Sequence, residues 1–373
     1  MGTRSGDGDL GTFADMTAET LADAPAPQEY DPAQHAMDMV GYHYRADDHY
    51  EVGREKVREY AKAVRDFHPV HWTEEGAAER GYGALMAPPT FFSLVGILAQ
   101  QKLLGRIAAG YDLTRMLQTD QYVEYYGPVL AGDRLTCDVS LDSFRKVAGR
   151  GSMVTKTVLT NQRNELAQIT YTTLLIDRPS DDDQRIEDAA RGMVMAGMFG
   201  PDAAAAEVET NPDGDDLEAS FDPPVRVPFR GAPTRRFEDV TVGEALPQRV
   251  VSLTRGDLIN YAGVVGDNNP VHWSDSFAAM LGLETVVAHG MLTMGLGTGF
   301  VSQWVGDPGA LKDSTVRFTS PVLVPPVGHT EVTIDGVVKS LDPETRTAVV
   351  SIDARCAGKR ILGHKATATV HLA

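Results

Sequence analysis

The stretch YAKAVRDFHPVHW at residues 60–72 returns as YAGVVGDNNPVHW at 261–273, without a gap and 201 residues later. Tyr, Ala, Val, Asp, Pro, Val, His and Trp recur in register. The same offset lays MAPPTF (86–91) on VAHGML (287–292). Farther on, DQYVEYYGPVL (120–130) matches DSTVRFTSPVL (313–323) at an offset of 193, so the first copy carries eight extra residues in between. Matches that keep their order along both halves mean one structural plan written twice. Whatever fold is proposed must therefore serve both copies, roughly 140 residues each, within 373.

The residues outside the copies have a different character. Residues 1–37 read as an acidic, disordered tail, and residues 178–230 as an acidic linker rich in Asp, Ala, Gly and Pro. Inside the linker, ARGMVMAGMFG (190–200) is a small apolar island able to dock as a short helix. Most of the formal net charge of −18 belongs to these two stretches. Residues 1–30 hold six acids and one base, and residues 177–222 hold fourteen acids and three bases. The copies themselves, 38–177 and 231–373, are close to neutral. This charge belongs to a tail and a linker, and it argues against nucleic acid or an anionic membrane as partner. No run of about 18 apolar residues is present, so no membrane span is expected. The first 30 residues lack an apolar signal region, and a cytoplasmic setting is expected. Cys137 and Cys356, one per copy, form no disulfide framework and read as small buried hydrophobes.

Each copy starts with a segment of helical periodicity (52–64 and 253–265) followed by the Asp–Pro–His loop. A second helix follows at 90–107 and 290–306. The later one carries Gly290, Gly295, Gly297 and Gly299. Each Gly inside a helix costs about 1 kcal/mol relative to Ala, which makes sense where a sheet or a ligand must come close to the helix backbone. Alternating strands close the second copy at 314–324, 330–341, 347–357 and 365–372. A long helix packed on an antiparallel sheet is an α+β layer design.

The loop GDNNPVHW (266–273) carries the chemistry-bearing residues. Taken alone, Asn268-Asn269-Pro270 is a polar turn. However, Asp267 and His272 flank it, and together they can serve as an acid/base pair. The helix opening at Gly290 offers unpaired N–H groups and the positive end of a dipole. Gly290 N–H is thus a candidate donor to a developing oxyanion. Trp273 and Tyr261 read as loop and core packing. His289 reads first as structural; with Asn269 and Met291 it is also placed among the candidate substrate-binding residues. No third ligand stands at suitable spacing from His272 and His289, so no metal is expected. No glycine-rich phosphate loop is present, so no nucleotide cofactor is expected either.

GDNNPVH followed after a fixed gap by AHGM (288–291) resembles the MaoC-type (R)-specific hydratase/dehydratase family. The second copy is similar to the HadB-type catalytic subunit of bacterial (3R)-hydroxyacyl-ACP dehydratases, and residues 40–176 resemble its HadA- or HadC-type partner. The resemblance implies a tandem (double) hotdog fold, with two hotdog domains pairing as an intramolecular pseudo-dimer. It implies a 3-hydroxyacyl thioester, on acyl carrier protein or on coenzyme A, as substrate. It also implies that His272 handles the C2 proton, Asp267 the hydroxyl, and Gly290 N–H the thioester oxygen. The first copy keeps Asp66 and His71 but has Pro88 and Pro89 where the second has His289 and Gly290. Proline has no N–H, so the oxyanion donor is missing there and the first copy is expected to be non-catalytic, shaping the acyl-chain tunnel. The competing readings are a non-catalytic acyl-binding scaffold and, less favoured, a hotdog thioesterase.

Overall fold

A computed structural model describes residues 30–46, 48–177, 183–193, 223–228 and 231–373. Pro32–Ala373 forms one unit. The tail expected at 1–37 lies outside the described residues up to Gln28 and Glu29. Its last part, Pro32–Asp38, is a helix (α1) whose Ala33 and Ala36 are fully buried. In the first copy follow β1 (His43–Arg45), β2 (Tyr50–Glu51), α2 (Arg54–Ala63), a 3-10 turn at Pro69–His71, α3 (Glu74–Ala78) and α4 (Phe92–Ile107). Four long strands complete it: β3 (Asp112–Tyr125), β4 (Arg134–Val147), β5 (Arg150–Thr160) and β6 (Leu166–Asp177). Within the expected linker, α5 (Asp183–Met193) is helical and buries Ile186. It begins before the apolar island and overlaps only its start.

The second copy repeats the plan: β7 (Ala245–Leu253), α6 (Arg255–Val265), a 3-10 turn at Pro270–His272, α7 (Asp275–Met280) and α8 (Gly290–Val305). Then come β8 (Leu311–Arg317), β9 (Thr330–Asp342), β10 (Thr347–Cys356), β11 (Lys359–Arg360) and β12 (Thr367–His371). Their alternation is the physical signature of a half-buried sheet. In β12, for example, Ala368 and Val370 are buried while Thr367, Thr369 and His371 are not.

All twelve strands belong to one sheet, in the order β1-β4-β5-β6-β3-β8-β12-β10-β9-β7, with β2 on β4 and β11 on β10. Read from its middle, the order is the same twice: β3-β6-β5-β4-β1 on one side and β8-β12-β10-β9-β7 on the other. The seam is β3 against β8, antiparallel, with Gln121 opposite Val316 and Tyr122 opposite Thr315. The sheets of the two copies are therefore continuous within one chain, as the pseudo-dimer expectation required. α8 is buried along most of its length, whereas α4 buries one face and exposes Gln101 and Lys102. α2 and α6 lie against one another, with the Tyr60 and Tyr261 rings 6.3 Å apart.

The glycines of α8 are explained mainly by the other copy. A Cβ on Gly295 would lie 2.9 Å from Val64 Cγ1 and 3.2 Å from Thr90 Oγ1, and one on Gly299 would lie 3.1 Å from Asp66 Oδ2. Toward its own sheet the helix is less tight: a Cβ on Gly297 would meet Leu362 and Ile352 at 3.5 and 3.6 Å, ordinary contact. The close approach comes from the first copy's loop. Both cysteines are buried and free, and burial pushes the Cys137 thiol up to about 12. No helix among the described residues is long and apolar enough to cross a membrane.

Candidate active site

The loop between α6 and α7 is built by local rules. Thr254 caps α6 by accepting from Asp257 N, and Asp257 returns the bond to Thr254 N, a capping box. α6 ends on Gly266 in the left-handed conformation (φ 82°), which glycine adopts without penalty. Asp267 follows immediately. Its Oδ1 accepts from Asn269 N at 3.3 Å, and Asn269 Oδ1 accepts from Val271 N at 3.2 Å. Asn269 thus braces the loop by capping the Pro270–His272 turn. Trp273 Nε1 donates to Asn268 O at 3.1 Å and closes the same loop.

His272 is fixed from behind. Its Nδ1 lies 2.8 Å from Val287 O, so Nδ1 carries the proton and Nε2 presents its lone pair forward. Nε2 stands 3.9 Å from Asp267 Oδ2. The two side chains are 13% and 35% exposed, so the pair is reachable. Burial is the main cause that lowers the His272 pKa below its ordinary 6.5, against the opposing pull of the Asp267 charge. The imidazole is accordingly neutral at pH 7.

His289 stacks on His272 with centroids 3.7 Å apart, and the Tyr261 ring lies 4.7 Å away. It is 2% exposed, and neither ring nitrogen has a hydrogen-bond partner among the described residues. Burial, then the neighbouring His272, depresses its pKa well below 6.5. The fold supplies beside the two histidines the third group that spacing alone did not, Asp267, with ligand-type atoms of all three within 4.8 Å of one another. At 3.9 and 4.0 Å from the carboxylate, the nitrogens are farther away than the roughly 3.3 Å ligand separation of a tetrahedral zinc site. A metal would require these side chains to close in.

α8 starts at Gly290 with His289 as N-cap and no side-chain cap, so its first N–H groups are left for another acceptor. A Cβ on Gly290 would lie 3.3 Å from the Phe318 ring. Met291 is contacted from the first copy: Gln118 Nε2 approaches Met291 Sδ at 3.4 Å. Phe318 and Gln118 escaped the sequence reading. Phe318 stands in the repeated DSTVRFTSPVL at the repeat position of Tyr125, which was the available signal, whereas Gln118 is brought in only by the β3–β8 seam.

The first copy builds the same loop and shuts it. His71 Nδ1 lies 2.6 Å from Met86 O, matching His272 on Val287, and His71 Nε2 lies 3.3 Å from Asp66 Oδ2. Asp66 and His71 are 3% and 0% exposed. Burial raises the Asp66 pKa, but the His71 charge and the bonds from His71 and His68 outweigh it and hold it below 3.8. Pro88 and Pro89 occupy the turn before α4, which begins only at Phe92. At the matching place α8 is already helical at Gly290.

Residues 38–169 match a family model described as FAS1-like, dehydratase domain region, and residues 238–354 match the MaoC like domain. A solved MaoC-like dehydratase is 38% identical, covers 91% of this chain and 100% of that one, and superposes with a TM-score of 0.81. A UPF0336 protein of Mycobacterium tuberculosis is 43% identical over 155 residues, 42% of this chain and 98% of that protein. A conserved hypothetical protein of the same species, described as having a double hotdog fold, superposes with a TM-score of 0.59 at 12% identity, covering 89% of this chain and 96% of that one. At that identity the likeness concerns the fold alone. With a family model on each half and a dehydratase of clear sequence identity along nearly the whole chain, this protein belongs to the MaoC-like dehydratases, hydro-lyases built here as a double hotdog.

Proposed function

We propose that the chain is a (3R)-hydroxyacyl-thioester dehydratase, reversible as a trans-2-enoyl-thioester hydratase, with one working site formed by Asp267, His272 and Gly290. The observation that carries this reading is the partly exposed Asp267–His272 pair, 3.9 Å apart, beside the uncapped start of α8 at Gly290. In dehydration, His272 Nε2 takes a C2 proton while the Asp267 carboxyl, as general acid, delivers one to the 3-hydroxyl. The C2–H and C3–O bonds break, the C2=C3 bond forms, and water leaves. Charge that builds on the thioester oxygen is held by Gly290 N–H at the positive end of α8. The dyad ends with its proton moved from Asp267 to His272, and hydration runs the same steps backward. Asn269 braces the loop, and His289 and Met291 line the substrate's approach.

The first copy is non-catalytic in this reading, because Pro89 supplies no N–H and its Asp–His pair is sealed. Its contribution to the site is a wall, as Gln118 beside Met291 illustrates. The substrate is an acyl chain on acyl carrier protein, in long-chain or mycolic-type fatty acid elongation in the cytoplasm; coenzyme A thioesters are the alternative. Both carriers share the pantetheine arm, and only kinetics separates them. The pseudo-dimer within the chain makes a monomer, or a homodimer of it, the working unit. The test is hydration of crotonyl-CoA, a long-chain enoyl-CoA and the matching enoyl-ACP by the wild type and by Asp267→Asn/His272→Ala. The double variant should retain less than a few per cent of activity. Activity above that level would place chemistry in the first copy, and no hydration of any enoyl thioester by the wild type would favour a scaffold.

A further inference from the structure

An inert copy has no chemical reason to keep an aspartate and a histidine in a dry interior, where an ion pair is weak evidence of stability. Asp66 and His71 have nonetheless kept their places, and their surroundings show what they touch. The contacts run along α8, the helix whose first residue is Gly290. Val64 and Thr90 fill the space at Gly295, and Asp66 Oδ2 lies against Gly299. His68 Nε2 lies 3.1 Å from Gly306 O, at the C-cap of the same helix. One residue on, Tyr82 Oη donates to buried Asp307, 2.9 Å from each carboxylate oxygen. Positions 295, 299 and 306 are spaced by four and seven, so they form one stripe on the helix surface. The first copy's Asp–His loop is a bed for α8.

The reverse arrangement differs. At the same 201-residue offset, the positions of α4 that correspond to Gly295 and Gly299 are Leu94 and Leu98. The second copy's loop stands more open, with its acid and base 3.9 Å apart and partly exposed, against 3.3 Å and sealed in the first.

We propose that Asp66 and His71 are positioning residues for the second copy's chemistry. Their buried loop, seated on Gly295 and Gly299, fixes the rotation and axial position of α8 and thereby aims Gly290 N–H. The inference rests on Gly290 N–H being the oxyanion donor. Asp66 acts only through the helix and touches no substrate. Shifting a donor by a fraction of an ångström weakens its hold on the developing charge far more than on the ground-state thioester.

The test uses the full chain with crotonyl-CoA. Gly299→Ala places a methyl 3.1 Å from Asp66 Oδ2, a tight contact that the sealed Asp66 side chain or α8 must relieve by a few tenths of an ångström. The expected result is a kcat lower by about tenfold, with KM within about twofold and an unmoved pH profile of kcat/KM. Combining it with Asp66→Ser, which shortens the opposing side chain, should recover a large part of the lost kcat. Asp66→Asn alone, close to isosteric, should lower kcat less than Gly299→Ala. Unchanged kcat in folded Gly299→Ala, a loss confined to KM, or no recovery in the double variant would each overturn the proposal. A purely structural role would lower Tm and leave kcat per folded enzyme intact. Should Gly299→Ala fail to fold, Asp66→Asn decides by the same split between kcat and KM. Failure of the catalytic reading is separate: it would appear as persistent activity in Asp267→Asn/His272→Ala.

Discussion

At the scale of single residues, the two copies form an internal comparison. Both keep an aspartate and a histidine five residues apart, and both histidines are anchored by a backbone carbonyl 15 residues downstream. At the matching position stand Gly290, the first residue of α8, and Pro89, which lies in the turn before α4. Gly290→Pro transplants the first copy's chemistry into the second. Proline is tolerated at the first position of a helix, so far-ultraviolet circular dichroism should stay close to wild type. Hydration of crotonyl-CoA should nevertheless fall by about 10²–10³ in kcat, the scale of losing one oxyanion donor. A second expectation concerns His289, buried and without a side-chain hydrogen-bond partner among the described residues. Its pKa in the folded state lies below the unfolded 6.5, so the unfolded chain binds its proton more readily. That penalty is absent above 6.5 and grows as pH falls below it, by up to about 1.4 kcal/mol per pH unit until the folded pKa is reached. Urea unfolding at pH 7, 6 and 5 should show this loss, and His289→Asn should lessen it, the remainder coming from His68, His272 and His371, whose pKa values burial also lowers.

Among the elements, the loops depend on the helices that precede them. Thr254 and Asp257 cap α6, and Asp257 also pairs with Arg65 of the first copy. Thr254→Ala should cost about 1 kcal/mol, and Asp257→Ala more, since it removes the cap and the contact between copies together; chemical denaturation of the two variants measures the difference. This is also the scale at which the sequence was most readable. The repeat and its alternating strands marked one α+β plan written twice, and the resemblance carried by GDNNPVH with AHGM implied the tandem hotdog. Gly295 and Gly299 were legible as sites of close approach, but the approaching groups, Val64, Thr90 and Asp66, lie some 200 residues upstream, where no local pattern points to them. Gln118 was hidden for the same reason, since only the β3–β8 register carries it to Met291. The helices Pro32–Asp38 and Asp183–Met193 were overlooked because acidic composition masks the few apolar residues that bury them.

For the molecule as a whole, the decisive feature is the seam. A second copy made alone would expose β8 as a sheet edge, an open row of N–H and C=O groups that invites aggregation. Residues 223–373 expressed alone should therefore be poorly soluble. Co-expression with residues 30–193 should yield a 1:1 complex by size-exclusion chromatography, with hydratase activity restored by association of the halves rather than by the linker.

The same helix α8 opens one site at its first residue and plugs the other along its middle. The two duties exclude each other, for a helix that stood back far enough to free Asp66 would no longer be held where Gly290 is needed. On the proposed reading the chain holds one working site. Titration with a tight-binding transition-state mimic should saturate at one equivalent per chain, half the number that a tally of Asp–His loops would give; on this proposal the duplicated half serves as a mould for the catalyst instead of a second turnover.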